Sequence, residues 1–345
     1  MKQVLKKTLL ISMVVGAFFF AFALLGCDTD TGPGTNGTGA TNGDDGQVFR
    51  IGIVQPIEHP ALDEVYQGLL AELADQGYIE GENLEIDFQN AQGDSATLST
   101  IADRFVSQDK DLVVSIGTGP TQTMAAKTTD MPILGAAITS FTGADLVDSN
   151  EAPGGNVTGT SDMAPVYKQS DLLMDLLPDA QTVGFIYNSS EANSVEQIAL
   201  IKDELESRGL DTREVVVTNT NEVQQAMASL TREVDVIYTP TDNTIASAMA
   251  MVGEISLESG VPVIPGASTM VEEGGLATAG VDYYELGRVT AVMAIELLHG
   301  ADPATMPVRI MTDESTIVIN GEVAEALGID VPAEMQQYIL DPAAQ

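Results

Sequence analysis

Short β-rich runs alternate with amphipathic stretches along most of this chain, and the alternation occurs twice with matching punctuation. Such a rhythm points to a parallel sheet, because parallel strands need a long return connection and a helix supplies it. In the first half, strands are expected over 49–55, 84–89, 112–116 and 132–138. Helices are expected over 61–76 and 95–108, with a third starting at Thr121 and reaching Lys127. Leu62, Val65, Leu69, Leu70 and Leu73 give the first helix its three-to-four spacing, and Gly77 closes it where a positive φ is cheap. In the second half, strands are expected over 182–187, 211–217, 234–238 and 261–264, and helices over 194–208, 221–231 and 244–258. Arg208-Gly209-Leu210 mirrors Gln76-Gly77-Tyr78, KDLVVSIGTGP (110–120) mirrors EVDVIYTPTDN (233–243), and Met131-Pro132-Ile133 mirrors Val261-Pro262-Val263. The expectation is an α/β chain of two doubly wound parallel-sheet lobes, with ligand groups on the loops that follow strand C-termini.

The N-terminus constrains location. Lys2, Lys6 and Lys7 precede an uncharged apolar run from Thr8 to Leu25, and Gly26 stands before Cys27, the only cysteine. Charge, apolar run and small residue before a cut is the layout of a secretory signal. An uncleaved membrane anchor would leave the cysteine at the end of the run without a role. The arrangement resembles the lipobox of bacterial lipoproteins, which implies a signal peptide over 1–26 and lipidation of Cys27. Leu25 departs from that pattern, which more often has a small residue there. Residues 28–47 are mostly Gly, Thr, Asn and Asp and have little to bury, so 27–47 reads as a lipidated cysteine with a flexible linker. At ~5–6 Å × √n the linker reaches about 25 Å. The expected location is the outer face of the cytoplasmic membrane, with lipid on Cys27 as the membrane contact.

The remaining body has enough length for two lobes and, with a single cysteine upstream, no internal disulfide. Without the signal there are 11 basic against 51 acidic side chains, a net charge of −40. That charge argues against nucleic acid and an anionic lipid surface as partners. The acids are scattered, as on salt-adapted proteins; a cationic partner is the other reading.

Several stretches are similar to the ABC-transporter substrate-binding proteins that take up tryptophan and related amino acids. They are HPALDEVYQGLLAELADQGYIEGENLEIDFQNAQGD (59–94), APGGNVTGTSD (152–162), DYYELGR (282–288) and INGEVAEALGIDVPAEM (319–335). The resemblance implies a type I periplasmic-binding-protein-like fold, two lobes joined by a hinge of three crossovers that close on a ligand. It implies lobe 1 over 48–162 plus about 284–300, lobe 2 over 163–283, and a third crossover and C-terminal segment over 301–345 whose lobe stays open. It also implies an ABC permease in the membrane as partner, an amino acid-like and possibly aromatic ligand, no cofactor and a monomeric body. Where many relatives carry Thr-Asp-Pro-Val after the fourth strand, this chain carries Thr139-Ser140-Phe141-Thr142, so a hydroxyl and an aromatic replace a charge at the mouth of lobe 1.

Candidate ligand-binding residues follow from strand ends. Gly117-Thr118-Gly119-Pro120-Thr121 turns amides outward at a helix start, where a carboxylate is favoured; Thr118 and Thr121 are equally able to cap that helix. Either Asp242 accepts from a ligand ammonium while Asn243 caps the next helix, or Asp242 is itself the cap. Gln55, Asn188 and Asn193 offer amides after the first strand of each lobe. Ser140 stands at the lobe 1 mouth, while Phe141, Tyr187 and Tyr283 are the expected aromatic walls. Asp282 lies with Tyr283 where the chain crosses back. His59 and His299 form no metal cluster, so a cleft-edge or solvated role is expected for His59. No GxSxG, HExxH or Walker run is present, which argues against an enzyme. The rival to transport is a ligand-sensing receptor domain feeding a signalling partner.

Overall fold

The computed structural model describes residues 47–163, 165–311 and 315–340. The signal, Cys27 and the linker as far as residue 46 lie outside the described residues. The first elements are β1 (Phe49–Gln55), α1 (Pro60–Asp75), β2 (Leu84–Asn90), α2 (Ser95–Ser107), β3 (Leu112–Ile116), α3 (Thr118–Ala125), β4 (Ile133–Ala136) and β5 (Val157–Ser161). Next come α4 (Val166–Leu176), β6 (Thr182–Asn188), α5 (Ala192–Ser207), β7 (Asp211–Val217), α6 (Val223–Leu230), β8 (Val236–Thr239), α7 (Asn243–Ala246) and α8 (Met249–Ser259). They are followed by β9 (Val263–Pro265), α9 (Ser268–Glu272), β10 (Ala277–Gly280), α10 (Tyr283–Leu298), β11 (Arg309–Ile310), β12 (Thr316–Ile319) and α11 (Gly321–Leu327).

The strands build two parallel sheets, ordered β11-β5-β4-β3-β1-β2 and β7-β6-β8-β9, with β10 and β12 as an antiparallel pair. The α/β, doubly wound expectation is the fold observed. The chain leaves one sheet for the other between β5 and α4, between β10 and α10, and between β11 and β12. Helix α10 returns to the first sheet's side and crosses α1 at close range, where Gly68 and Gly287 let the backbones touch. A Cβ on Gly68 would overlap the Tyr284 carbonyl, and one on Gly287 the Val65 carbonyl. After β11 pairs with β5, the C-terminal segment pairs with β10 instead, and Asn320 caps α11 through Val323 N–H at 3.1 Å.

Three local readings change. Helix α3 begins at Thr118 rather than Thr121: Gly117 takes a φ of 91° that suits glycine, and Pro120 falls in the first turn, where its missing N–H is no loss. The 244–258 helix is two, α7 and α8, broken at Ser247-Ala248. Strand β5 was not expected at all, since Val157-Thr158-Gly159-Thr160-Ser161 lacks an apolar run.

Both sheets reverse their winding direction, between β1 and β3 in one and between β6 and β8 in the other. Loops after those four strands diverge above and below the sheet and leave a crevice at each switch point. The two crevices face each other, so residues after β1, β3, β6 and β8 meet between the lobes.

Candidate functional site

The interlobe cleft is built from those four loops. Its inner compartment is lined from lobe 1 by His59, Leu62, Thr118, Ala137, Thr139 and Asp162, among others. Lobe 2 contributes Asn193, Thr241, Asp242, Asn243, Ala246, Ala267 and Met270, and Tyr283 closes the crossover side. An outer compartment shares Asn193 and Asn243 and adds Asn188, Glu191, Pro120 and Leu98. Few polar groups among small apolar walls is the usual composition of a small-molecule cleft.

Hydrogen bonds between the described residues join the lobes across the cleft. His59 Nε2 lies 3.1 Å from Asn243 Oδ1, and the hydroxyls of Thr139 and Thr241 meet at 3.2 Å. The arrangement is therefore closed. Two of the residues that line it carry an unpaired buried atom: His59 Nδ1 and Thr118 Oγ1 have no hydrogen-bond partner.

Asp162 follows β5 directly and is 5 % exposed. One carboxylate oxygen accepts from Thr139 Oγ1 at 3.2 Å and the other from the Tyr283 hydroxyl at 3.0 Å. Among the described residues no cationic side chain lies within ion-pair distance of it. Burial accordingly pushes its pKa up, against the two hydrogen bonds. A buried carboxylate with spare lone pairs and no counter-charge, on the wall of a cleft, is equipped to receive a ligand cation.

Asp242 lacks that spare capacity. It caps α7 through Ile245 N–H at 2.8 Å and also accepts from Asn188 N–H at 2.6 Å and Ser194 Oγ at 2.7 Å. Burial and the neighbouring Glu191 charge push its pKa up to about 8. Glu191 in turn accepts from the backbone and side chains of Asn243 and Thr244. The two carboxylates hold the lobe 2 loops in place, so Asp242's geometry is that of a cap.

Of the sequence-derived candidates, the structure brings Thr118, Asn193, Asp242, Asn243 and Tyr283 together at the inner compartment, with Asn188 at the outer one. The others lie elsewhere. Thr121 is buried beneath its own helix, bonded to Ser115 and Gly117. Ser140 accepts from Gly143 N–H, and Phe141 packs into the lobe 1 core beside Gly135. Tyr187 belongs to the lobe 2 core, its hydroxyl donating to Glu214, while Asp282 is exposed and caps α10. Gln55 faces a groove outside the cleft with Asp63. Residues missed were Asp162, Thr139 and the apolar walls Leu62, Ala137, Ala246, Ala267 and Met270; His59 is buried in the cleft rather than at its edge. The signal for Asp162 is its place as the last residue of APGGNVTGTSD, directly after the C-terminal end of β5.

Residues 50–341 match the model of a family described as ABC transporter substrate binding protein. A tyrosine-binding protein of Clostridioides difficile (strain R20291) is 37% identical over 336 residues, covering 97% of each chain. An ABC domain from Streptococcus pneumoniae, solved in complex with L-Trp, superposes with a TM-score of 0.83 at 38% identity over 85% of this chain and 100% of that one. The ligand-free, open structure of a substrate binding protein with adhesive properties from Clostridium difficile is 41% identical over 85% of this chain and 99% of that one, yet gives a TM-score of 0.65. A lower score at higher identity is what a different angle between similar lobes produces, and it agrees with the hydrogen bonds that close the cleft here.

Proposed function

Since the chain belongs to the ABC transporter substrate binding protein family, whose members bind solutes rather than turn them over, we propose that it binds an aromatic L-amino acid between its lobes for an importer. Asp162 carries this reading: it is a buried carboxylate on the cleft wall with spare acceptor capacity and no counter-charge, and a ligand α-ammonium supplies one. The ligand carboxylate goes to the start of α3, where Gly117 and Gly119 keep the backbone open and Thr118 Oγ1 is unpartnered. Leu62, Met270 and the alanines enclose the ring. Burying an aromatic side chain removes ~150–250 Å² from water, about 4–6 kcal/mol at ~25 cal/mol/Å². The ring thus supplies most of the affinity and the polar groups decide which ring fits. The relatives that bind tyrosine and L-Trp support the same ligand class.

The test is a thermal-shift screen against the proteinogenic amino acids. Tyrosine or tryptophan at 100 times Kd should add about 2.7 kcal/mol of stability and raise the melting temperature by several degrees, while aspartate, lysine and alanine leave it unchanged. A screen in which no aromatic amino acid shifts the transition overturns the reading.

Cys27 and the linker, in the same proposal, tether this receptor beside its permease. In expressing cells, the wild-type chain should partition into detergent with the membrane fraction and label with a fatty-acid probe. Cys27→Ser should lose the label; continued labelling would remove the tether.

A further inference from the structure

Building on the reading above, we propose that His59 selects for a hydrogen-bond donor on the ligand's ring, so that the cleft takes tyrosine and tryptophan in preference to phenylalanine. His59 is the residue at which α1 starts, in an extended conformation (φ −164°, ψ 159°), with Pro60 next. The residue is 7 % exposed, and its ring bonds across the cleft to Asn243 Oδ1. The orientation of that amide is fixed from behind: Asn243 Nδ2 donates to Glu191 Oε2 at 2.6 Å, and a carboxylate has nothing to donate in return. Asn243 therefore turns its oxygen to His59, which requires the proton on Nε2 and leaves Nδ1 as a bare lone pair. Burial pushes the imidazole's pKa down against the Asn243 bond and the nearby Glu191 and Asp63 charges, so the ring stays neutral. The result is a buried acceptor with no partner, on a residue that lines the inner compartment.

A ligand that brings a donor to that position relieves an unmet acceptor; one that does not leaves it buried and dry. With the ammonium assigned to Asp162, the donors left on an aromatic amino acid are the phenol O–H of tyrosine and the indole N–H of tryptophan. Phenylalanine has neither. Thr118 Oγ1, the other unpartnered group, rotates to donate or accept and so discriminates between none of them. A site built around a hydrogen bond rejects an analogue that lacks it more strongly than an apolar pocket rejects a change of size.

Full-length protein purified in detergent is titrated calorimetrically with L-tyrosine, L-tryptophan and L-phenylalanine, as wild type and as His59→Leu. The wild type should bind tyrosine and tryptophan ~10- to 100-fold more tightly than phenylalanine, and the variant should bring all three within about threefold. Equal binding of the three by the wild type, or a variant that weakens all three alike with the preference retained, overturns the proposal; the latter would make His59 a closure contact or an ammonium ligand. If the wild type binds none of the three, the function proposed above fails first. A readout without substitution guards against a misfolded variant. The chain has two histidines, so the spectrum of ¹⁵N-histidine-labelled protein resolves His59 Nδ1, which should shift with tyrosine and hold its position with phenylalanine. No difference between the two ligands also overturns the proposal.

Discussion

Asp162→Asn is expected to weaken binding of an aromatic amino acid by on the order of 100- to 1,000-fold while leaving the fold intact. Removing one partner of a buried charge pair costs roughly 2–5 kcal/mol, and ~1.4 kcal/mol is tenfold in affinity. The side chain keeps its shape and an acceptor oxygen for one of the bonds from Thr139 and Tyr283. Stability moves the other way. The folded protein holds this carboxyl at a raised pKa, so its ionised form opposes folding once the pH exceeds the ordinary carboxylate range. Asparagine removes that opposition, and the ligand-free variant should melt no lower than wild type at neutral pH. Calorimetric titration and a thermal melt on the same preparation check both halves; a variant that binds normally, or that loses binding only because it unfolds, counts against the role given to Asp162.

The second large effect is expected outside the cleft. Alanine at Gly68 or Gly287 would gain about 1 kcal/mol of helix propensity in an open helix. Here each Cβ meets a backbone carbonyl of the facing helix, Tyr284 for one and Val65 for the other, and backbone cannot swing aside as a side chain does. Forcing α1 and α10 apart disturbs the packing of Val65, Leu69, Leu286 and Ala291, all fully buried. The expected net cost is about 3 kcal/mol, at the upper end for overpacked cores, read as a lowered urea midpoint at unchanged slope. Gly119→Ala, helical but with open space around its Cβ, is the control and should not destabilise.

How far the molecule was legible in its sequence depends on which physical signal each part uses. Parallel strands buried on both faces, such as Leu112–Ile116, announce themselves as apolar runs, and α1 by its leucine spacing. The mirrored punctuation of the two halves gave two doubly wound lobes. Strand β5 carried no such signal, because its threonines are buried by bonding to Met306 O and Thr290 Oγ1 rather than by being apolar. Missing that strand hid Asp162. Position at strand ends makes Phe141 and Tyr187 expected cleft walls, but β-strand alternation and the turn at Ser140 send both side chains into the cores. Asp242 and Asp162 show the remaining difficulty. Both are fully desolvated aspartates just after strands; only the count of donors around each separates a helix cap from an anion awaiting a partner.

The central claim is that an aromatic amino acid is held between the lobes with its ammonium on Asp162. A crystal structure of the protein grown with L-tyrosine tests it most directly. The account predicts the ligand in the inner compartment, its amino nitrogen within ~3.2 Å of the Asp162 carboxylate. Tyrosine density elsewhere, or an amino nitrogen on Asp242 with Asp162 still bonded only to Thr139 and Tyr283, would contradict it.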